Sequence, residues 1–283
     1  GTIANITYGV NTTVGVNVTG VEGTDLSGNV TVTIQGVSGS WNGVVDSNGI
    51  SEVIIPGLAA GNYNATIVYS GNNNYTQANT TVKFNVAKAN ATVNGTIANI
   101  TYGENATVKV NVTGVEGTDL SGNVTVTIQG VSGSWNGVVD SEGISEVIIP
   151  GLAAGNYNAT IVYSGNNNYT QANTTVKFNV AKANATVNGT IANITYGENA
   201  TVKVNVTGVL NEGLSGTVNI TVDDKSYTVI LIDGVGSVVV PGLVAGNYTA
   251  TIKYSGNDNY TESESVLVNF TVFKANSTVT IHV

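Results

Sequence analysis

The chain has no cysteine, no methionine and no arginine, and its only histidine is His282. Each absence closes off a chemistry. Without cysteine there is no disulfide, thiol nucleophile or thiolate metal site. Without arginine there is no bidentate clamp for phosphate or carboxylate. One histidine at the far end permits neither a Ser–His–Asp triad nor a multi-histidine zinc site. Charge is scarce too: charged residues are 10% of the 283, and the net charge of −9 argues against nucleic acid and anionic lipid as partners. No apolar run is long enough to span a bilayer, so no membrane insertion is expected in this segment. Nothing calls for a cofactor. The chain opens at Gly1 with neither initiator methionine nor signal peptide, and reads as a mature or excised piece of something longer.

What is present is repetition, with asparagine and threonine in place of charge. GTIANITYG recurs at Gly1, Gly95 and Gly189. A period of about 94 residues is too long for a solenoid and fits one whole all-β domain. Within each unit the hydrophobic period is two. Val108, Val110 and Val112 alternate with Thr107, Lys109 and Asn111. Val124, Val126 and Ile128 alternate with Thr125 and Thr127, and Ile161, Val176 and Phe178 fall in similar runs. Such alternation predicts strands with one wet face, and branched side chains suit a pleated surface. The apolar set is expected inside, with Thr107, Asn111, Thr125, Asn158 and Lys177 outside; a one-residue slip would invert it. Gly, Asn and Ser clusters separate the runs, and no helix is expected.

Seven or so short strands per unit imply three tandem immunoglobulin-like β-sandwiches, an all-β chain. In PGLAAGNY and its third-unit counterpart, Tyr63, Tyr157 and Tyr248 stand where a tyrosine corner belongs, a buried ring bonded back to upstream backbone. The usual core disulfide and tryptophan are missing, so Val, Ile and Tyr must form the core. The boundaries read as 1–87, 88–181 and 182–273, followed by 274–283, a first-strand segment with no unit behind it. The first unit is expected to lack its own first strand.

The motifs ITYGENATVKVNVTG, GLAAGNY and YSGNNNYTQANTTVKFNVAKANATVN resemble the bacterial-type Ig-like repeats of archaeal adhesin-like surface proteins, typical of methanogens with pseudomurein walls. The resemblance covers essentially the whole chain. It implies a secreted, surface-attached, multidomain protein with a stalk or adhesive role, and it brings no catalytic residue.

About 26 N-x-T sequons occur in the chain, an excess over chance. Candidate glycosylation sites are Asn74, Asn79, Asn105, Asn111, Asn123, Asn158, Asn168, Asn173, Asn199 and Asn259. The plainer origin is geometric: residues i and i+2 share a strand face, so a wet face of Asn and Thr writes N-x-T by itself. That accounts for Asn111 and Asn123, and less well for Asn105, Asn168 and Asn173, which are expected at strand edges or in loops. Trp41 and Trp135 are candidate platforms for sugar stacking. Tyr227 at the matching place in unit three favours packing instead. Asp25, Asp46, Glu52, Asp223 and Asp224 are too scattered for a calcium loop, and Asp223-Asp224 reads as a hairpin turn. Lys88, Lys182 and Lys274 recur at the joints, where a solvated junction is a simpler reading than a Lys–Asn crosslink.

The sequence thus predicts a non-enzymatic module of an extracellular, cell-surface adhesin or stalk, N-glycosylated, with other cell surfaces or glycans as partners. The joint V-A-K-A-N-A-T-V-N lacks a long Gly/Ser stretch, so successive units are expected to be stiffly connected. One alternative is a carbohydrate-binding array. Another is a fibre subunit that meets a second copy head-to-tail, with Val279, Ile281 and Val283 as a donor strand completing the first unit.

Overall fold

The computed structural model describes residues 1–281, so Val283, the last of the three donor-strand positions, lies outside the described residues. Among the described residues there are 24 strands and no helix. The first repeat holds β1 (Thr2–Ile3), β2 (Ile6–Thr7), β3 (Thr12–Asn17), β4 (Gly28–Ile34), β5 (Trp41–Val45), β6 (Ile50–Ile55), β7 (Gly61–Tyr69) and β8 (Ala78–Ala87). The second holds β9 (Thr92–Ile97), β10 (Ile100–Thr101), β11 (Ala106–Thr113), β12 (Gly122–Ile128), β13 (Trp135–Val139), β14 (Ile144–Ile149), β15 (Gly155–Tyr163) and β16 (Ala172–Ala181). The third holds β17 (Thr186–Ile191), β18 (Ile194–Thr195), β19 (Ala200–Thr207), β20 (Gly216–Val222), β21 (Lys225–Leu231), β22 (Val235–Val240), β23 (Gly246–Tyr254) and β24 (Val266–Phe273).

Each repeat makes the same two sheets. In the first, a three-stranded sheet runs β1-β3-β6 and a five-stranded sheet runs β2-β8-β7-β4-β5. The second has β9-β11-β14 and β10-β16-β15-β12-β13, and the third has β17-β19-β22 and β18-β24-β23-β20-β21. The chain enters on one sheet and crosses at once to the other, where a two-residue strand pairs parallel with the last strand of the repeat (Ile6↔Val86, Ile100↔Val180, Ile194↔Val272). The other pairings of the first and third repeats are antiparallel, as are those of β12 with β13 and β15 in the second, the arrangement of an immunoglobulin-like fold. By compactness, residues 1–96, 109–147 and 159–176 form one unit, and residues 97–108, 148–158 and those from Lys177 onward form a second.

Period-two alternation puts valine between the sheets. In β11 the burial alternates residue by residue, with Val108, Val110 and Val112 buried. Val124, Val126, Ile128, Ile161 and Phe178 are buried too. Each fully buried Val or Ile contributes roughly 1.5–3 kcal/mol, so a sandwich of this size closes without a disulfide. Four of the expected placements differ. Val176 is half-buried, because glycine lies over it: a Cβ added at Gly95 would come within 3.4 Å of Val176. Thr107, Thr125 and Asn158 are half-buried rather than exposed, since outward side chains on inner strands shield one another. Thr125, for example, donates to Asn136 Oδ1 at 2.8 Å on the neighbouring strand.

The turns account for many of the glycines. Gly143, in the turn from β13 to β14, has φ of +88°, and a Cβ there would lie 2.1 Å from the Val112 carbonyl oxygen. No other residue type fits that place. In the third repeat Asp223 and Asp224 occupy the turn from β20 to β21 with φ of 51° and 60°. Two positive φ values in a two-residue loop are the signature of a type I′ hairpin turn.

The three tyrosine corners form: Tyr63, Tyr157 and Tyr248 donate to the carbonyls of Ala59, Ala153 and Val244, each at 2.9 Å. Their rings are half-buried rather than buried, stacked on Phe84, Phe178 and Phe270 at 5.4–5.5 Å. The deeply buried tyrosines are others. Tyr163 sits inside the second sandwich and donates to the Leu120 carbonyl at 2.9 Å.

Candidate functional surfaces and the repeat joint

The sequon asparagines divide into two groups by surroundings. Asn74, Asn79, Asn105, Asn111, Asn123, Asn173 and Asn199 are exposed, while Asn158, Asn168 and Asn259 are half-buried. Trp41 and Trp135 lie half-buried on the edge strands β5 and β13. They pair with Val32 and Val126, and Tyr227 holds the same register against Ile220. Trp41 and Tyr227 both pack on the core of their own repeat and stay half-buried there.

The acidic residues serve the turns. The Asp46 and Asp140 carboxylates accept from the backbone N–H groups at positions 48 and 50, and 142 and 144, at 2.8–3.0 Å. Asp25 and Asp119 accept from Ser27 and Ser121, at 2.9 and 2.8 Å, and those backbone bonds hold both carboxyls below the ordinary aspartate range. Among the described residues, no group of three or more His, Cys, Asp or Glu gathers to hold a metal ion. Nor is any helix there long and apolar enough to cross a membrane.

The densest polar constellation was not legible in any single motif: it is the joint between repeats. Between repeats one and two, inside the first compact unit, Ala89 N–H donates to the Asn168 carbonyl and Thr170 N–H to the Ala89 carbonyl, both at 2.9 Å. The Lys88 ammonium reaches the Asn166 carbonyl at 2.5 Å, so it is no merely solvated group. Asn168 Oδ1 accepts the Ala60 N–H at 2.9 Å. The Tyr8 ring meets Tyr169 edge-on, centroids 5.6 Å apart, and Gly9 packs on Val115. The Tyr169 hydroxyl in turn accepts from Val115 N–H at 2.8 Å and bonds Thr118 at 2.5 Å. Each neutral hydrogen bond contributes about 1 kcal/mol net and the aromatic pair about as much again.

Between repeats two and three, inside the second unit, the same joint recurs. Lys182 donates to the Asn257 carbonyl at 2.6 Å, and Ala154 N–H to Asn259 Oδ1 at 2.9 Å. Ala183 pairs with the Asn259–Thr261 backbone, and Tyr102 meets Tyr260 at 5.4 Å and 77°. Tyr260 differs from its counterpart in donating its hydroxyl to Glu212 in a short hydrogen bond. Burial first, and that bond second, push Tyr260 up to about 12. The Asn-Tyr-Thr sequons at 168 and 259 are therefore parts of the joint: amide oxygen to the preceding repeat, ring into the socket, and hydroxyl toward Asn90 or Asn184 at 3.2 and 3.0 Å. Strand alternation explained these sequons poorly because alternation was not their cause.

At the two ends of the chain the halves of this joint stand open. Tyr75, in the place of Tyr169 and Tyr260, is half-buried, and Asn74 is exposed. Tyr196, in the place of Tyr8 and Tyr102, is 55% exposed, and Lys274 and Ala275 are exposed. Residues 274–281 form no strand, and Val279 and Ile281 are 91% and 86% exposed. β1 is two residues long where β9 and β17 have six.

Three sandwiches linked by two copies of one joint make this chain a tandem array of immunoglobulin-like domains. No protein-family model matches it, and neither does any curated protein. Among solved structures it is similar to invasin, a bacterial integrin-binding protein, at 14% identity and a TM-score of 0.46. That match covers 96% of this chain and 58% of invasin's. A tetra-tandem repeat from the extending region of a large adhesion protein matches at 15% identity and 0.44, covering 95% and 72% of the two chains. An I-band fragment of titin matches at 12% identity and 0.38, covering 97% and 96%. The fold assignment rests on the chain's own sheets.

Proposed function

We propose that this chain is a non-catalytic section of an extracellular, cell-surface adhesin or stalk of the archaeal type its motifs resemble. The joint carries the reading. Two backbone hydrogen bonds, a lysine, an asparagine amide and a tyrosine pair fix each repeat on the next, and both joints use the same groups. A chain that fixes its repeats this way, over surfaces rich in neutral Asn and Thr, suits a spacer that holds something away from a cell. The exposed sequons, Asn74, Asn79, Asn105, Asn111, Asn123, Asn173 and Asn199, carry N-glycans in this reading, shielding strand edges that other proteins protect with charge.

The test uses source cells. Antibody raised to the chain labels the outer surface in immunoelectron microscopy, and glycopeptides from native material carry glycan at several of the exposed sites. Label confined to the cell interior overturns the proposal. A second reading, binding of carbohydrate, is favoured by the half-open tryptophans on β5 and β13. Glycan-array binding that disappears in Trp41→Ala/Trp135→Ala supports it, and an array without signal removes it.

A further inference from the structure

We propose that the sugar on a strand-face sequon asparagine packs on the exposed valine or isoleucine across from it, and that Asn17, Asn29 and Asn205 are acceptors alongside Asn111 and Asn123. The inference rests on the glycosylated reading and deepens it: it names which strand-face sequons are modified and what the sugar does there.

The edge strands carry apolar side chains left open to water. Val44 and Val138, on β5 and β13, are 77% and 76% exposed. Ile50, Ile144 and Val235, on β6, β14 and β22, are 50%, 48% and 55% exposed. Single exposed apolar residues are ordinary, but these five share a kind of neighbour. Val44 pairs with Asn29, Val138 with Asn123, Ile50 with Asn17 and Val235 with Asn205. Ile144 lines one groove with Asn111. Each of these asparagines is exposed and opens an N-V-T sequon, and its side chain makes no hydrogen bond among the described residues. Where a threonine stands opposite, the amide is engaged: Asn219 accepts from Thr228, Asn247 from Thr271 and Asn269 from Thr249, at 2.8–3.1 Å. The free amides face side chains that can neither donate nor accept.

Directly opposed residues stand about 4.5–5.5 Å apart at Cβ, so a sugar linked to the asparagine Nδ2 starts beside the branched side chain. A pyranose ring has a face of C–H groups and a rim of hydroxyls. Around Asn111 the groove holds Asn94, Lys109, Val138, Ile144 and Glu146, and around Asn205 it holds Asn188, Lys203, Ile232 and Val235. The apolar wall takes the ring face, and the amide and ammonium groups donate to the hydroxyls. Attachment takes a lipid-phosphate-linked oligosaccharide as co-reactant. The amide nitrogen bonds the anomeric carbon, the C–O bond to phosphate breaks, the phosphate leaves with the electron pair, and the amide gives up one proton. Sugar lying there also closes the sheet edge to stray strands. Repeat three holds a control: Ile230 is 74% exposed in the place of Val44 and Val138, but Thr217 stands opposite.

The experiment uses the whole chain made in its source cells. Glycopeptide mapping is expected to find sugar at Asn17, Asn29, Asn111, Asn123 and Asn205. Methyl-detected NMR is expected to place sugar protons beside the methyls of Val44, Val138, Ile50, Ile144 and Val235, and none beside Ile230. Thr113→Ala removes one sequon and leaves Asn111 in place. It should lower amide-exchange protection of β14 about fivefold, the share of a buried isoleucine's worth that a half-exposed one has still to gain. Ile144→Ser should lose as much, and the two together no more than either alone. In unmodified chain from bacterial cells Thr113→Ala leaves β14 unchanged, which separates the sugar from any structural part of Thr113. Sugar at Asn79 and Asn105 with these five asparagines bare overturns the inference and leaves the stalk reading standing. A chain bare throughout overturns the inference and the glycan reading together. Sugar without methyl contacts, or additive losses in the double variant, also overturns it. So does β14 protection that grows with protein concentration, the mark of a second copy on that edge.

Discussion

Tyr75 and Tyr169 sit in the same nine residues, SGNNNYTQA, and make the same hydroxyl bonds, yet Tyr169 is wholly buried and Tyr75 is not. The difference is supplied by the preceding repeat. Tyr8 and Ala89 cover Tyr169, and no matching ring or bridge covers Tyr75 among the described residues. Burial in a tandem array is therefore not a property of the repeat's own sequence: identical segments acquire different stabilities from what stands before them.

The largest test of that contrast is truncation. Tyr169→Ala should cost about 3–5 kcal/mol, as for other large buried aromatics, and Tyr75→Ala about half as much. Hydrogen exchange resolved by peptide reads the two repeats apart, and equal losses would break the comparison. Next comes the first strand. Gly95→Ala drives a methyl group into Ile161 and should cost about 1–3 kcal/mol, whereas Gly155→Ala, whose Cβ would meet only Tyr157 at 3.7 Å, should stay within about 0.5 kcal/mol. Thermal unfolding of each variant gives the sign and the order.

A smaller effect is expected at the amides. Asn168→Ala strands the Ala60 N–H and should cost about 1 kcal/mol, while Asn74→Ala, whose side chain has no such partner among the described residues, should cost nothing measurable. The last is alkaline. Tyr260 is raised in the folded state, so its contribution is complete below pH 10 and is lost as pH rises towards about 12. Exchange protection around 183 and 260 should fall in that window, and Glu212→Gln should narrow it by removing the carboxylate that accepts the Tyr260 hydroxyl.

How much of this was legible in the residues depends on where each side chain's neighbours come from. Val108 through Val112 could be placed inside because alternation and the facing sheet belong to one repeat. The corner tyrosines were legible for a similar reason, since their acceptors lie four residues upstream. Tyr169, Lys88 and Asn168 were not, because their partners belong to another repeat and no local period marks them. Val176 failed on a finer point: its cover is Gly95, and a glycine leaves the valine beneath it partly uncovered.

In the glycosylated reading proposed above, the joint sequons also set a clock. Asn168 and Thr170 are free to meet a glycosylating enzyme only until the second repeat closes on the first, after which amide and hydroxyl are both engaged. Asn79, exposed on the outer face of its repeat, has no such deadline. Occupancy at the two positions in one molecule would compare the speed of modification with the speed of folding, and a slower folding variant should gain sugar at Asn168 while Asn79 stays as it was.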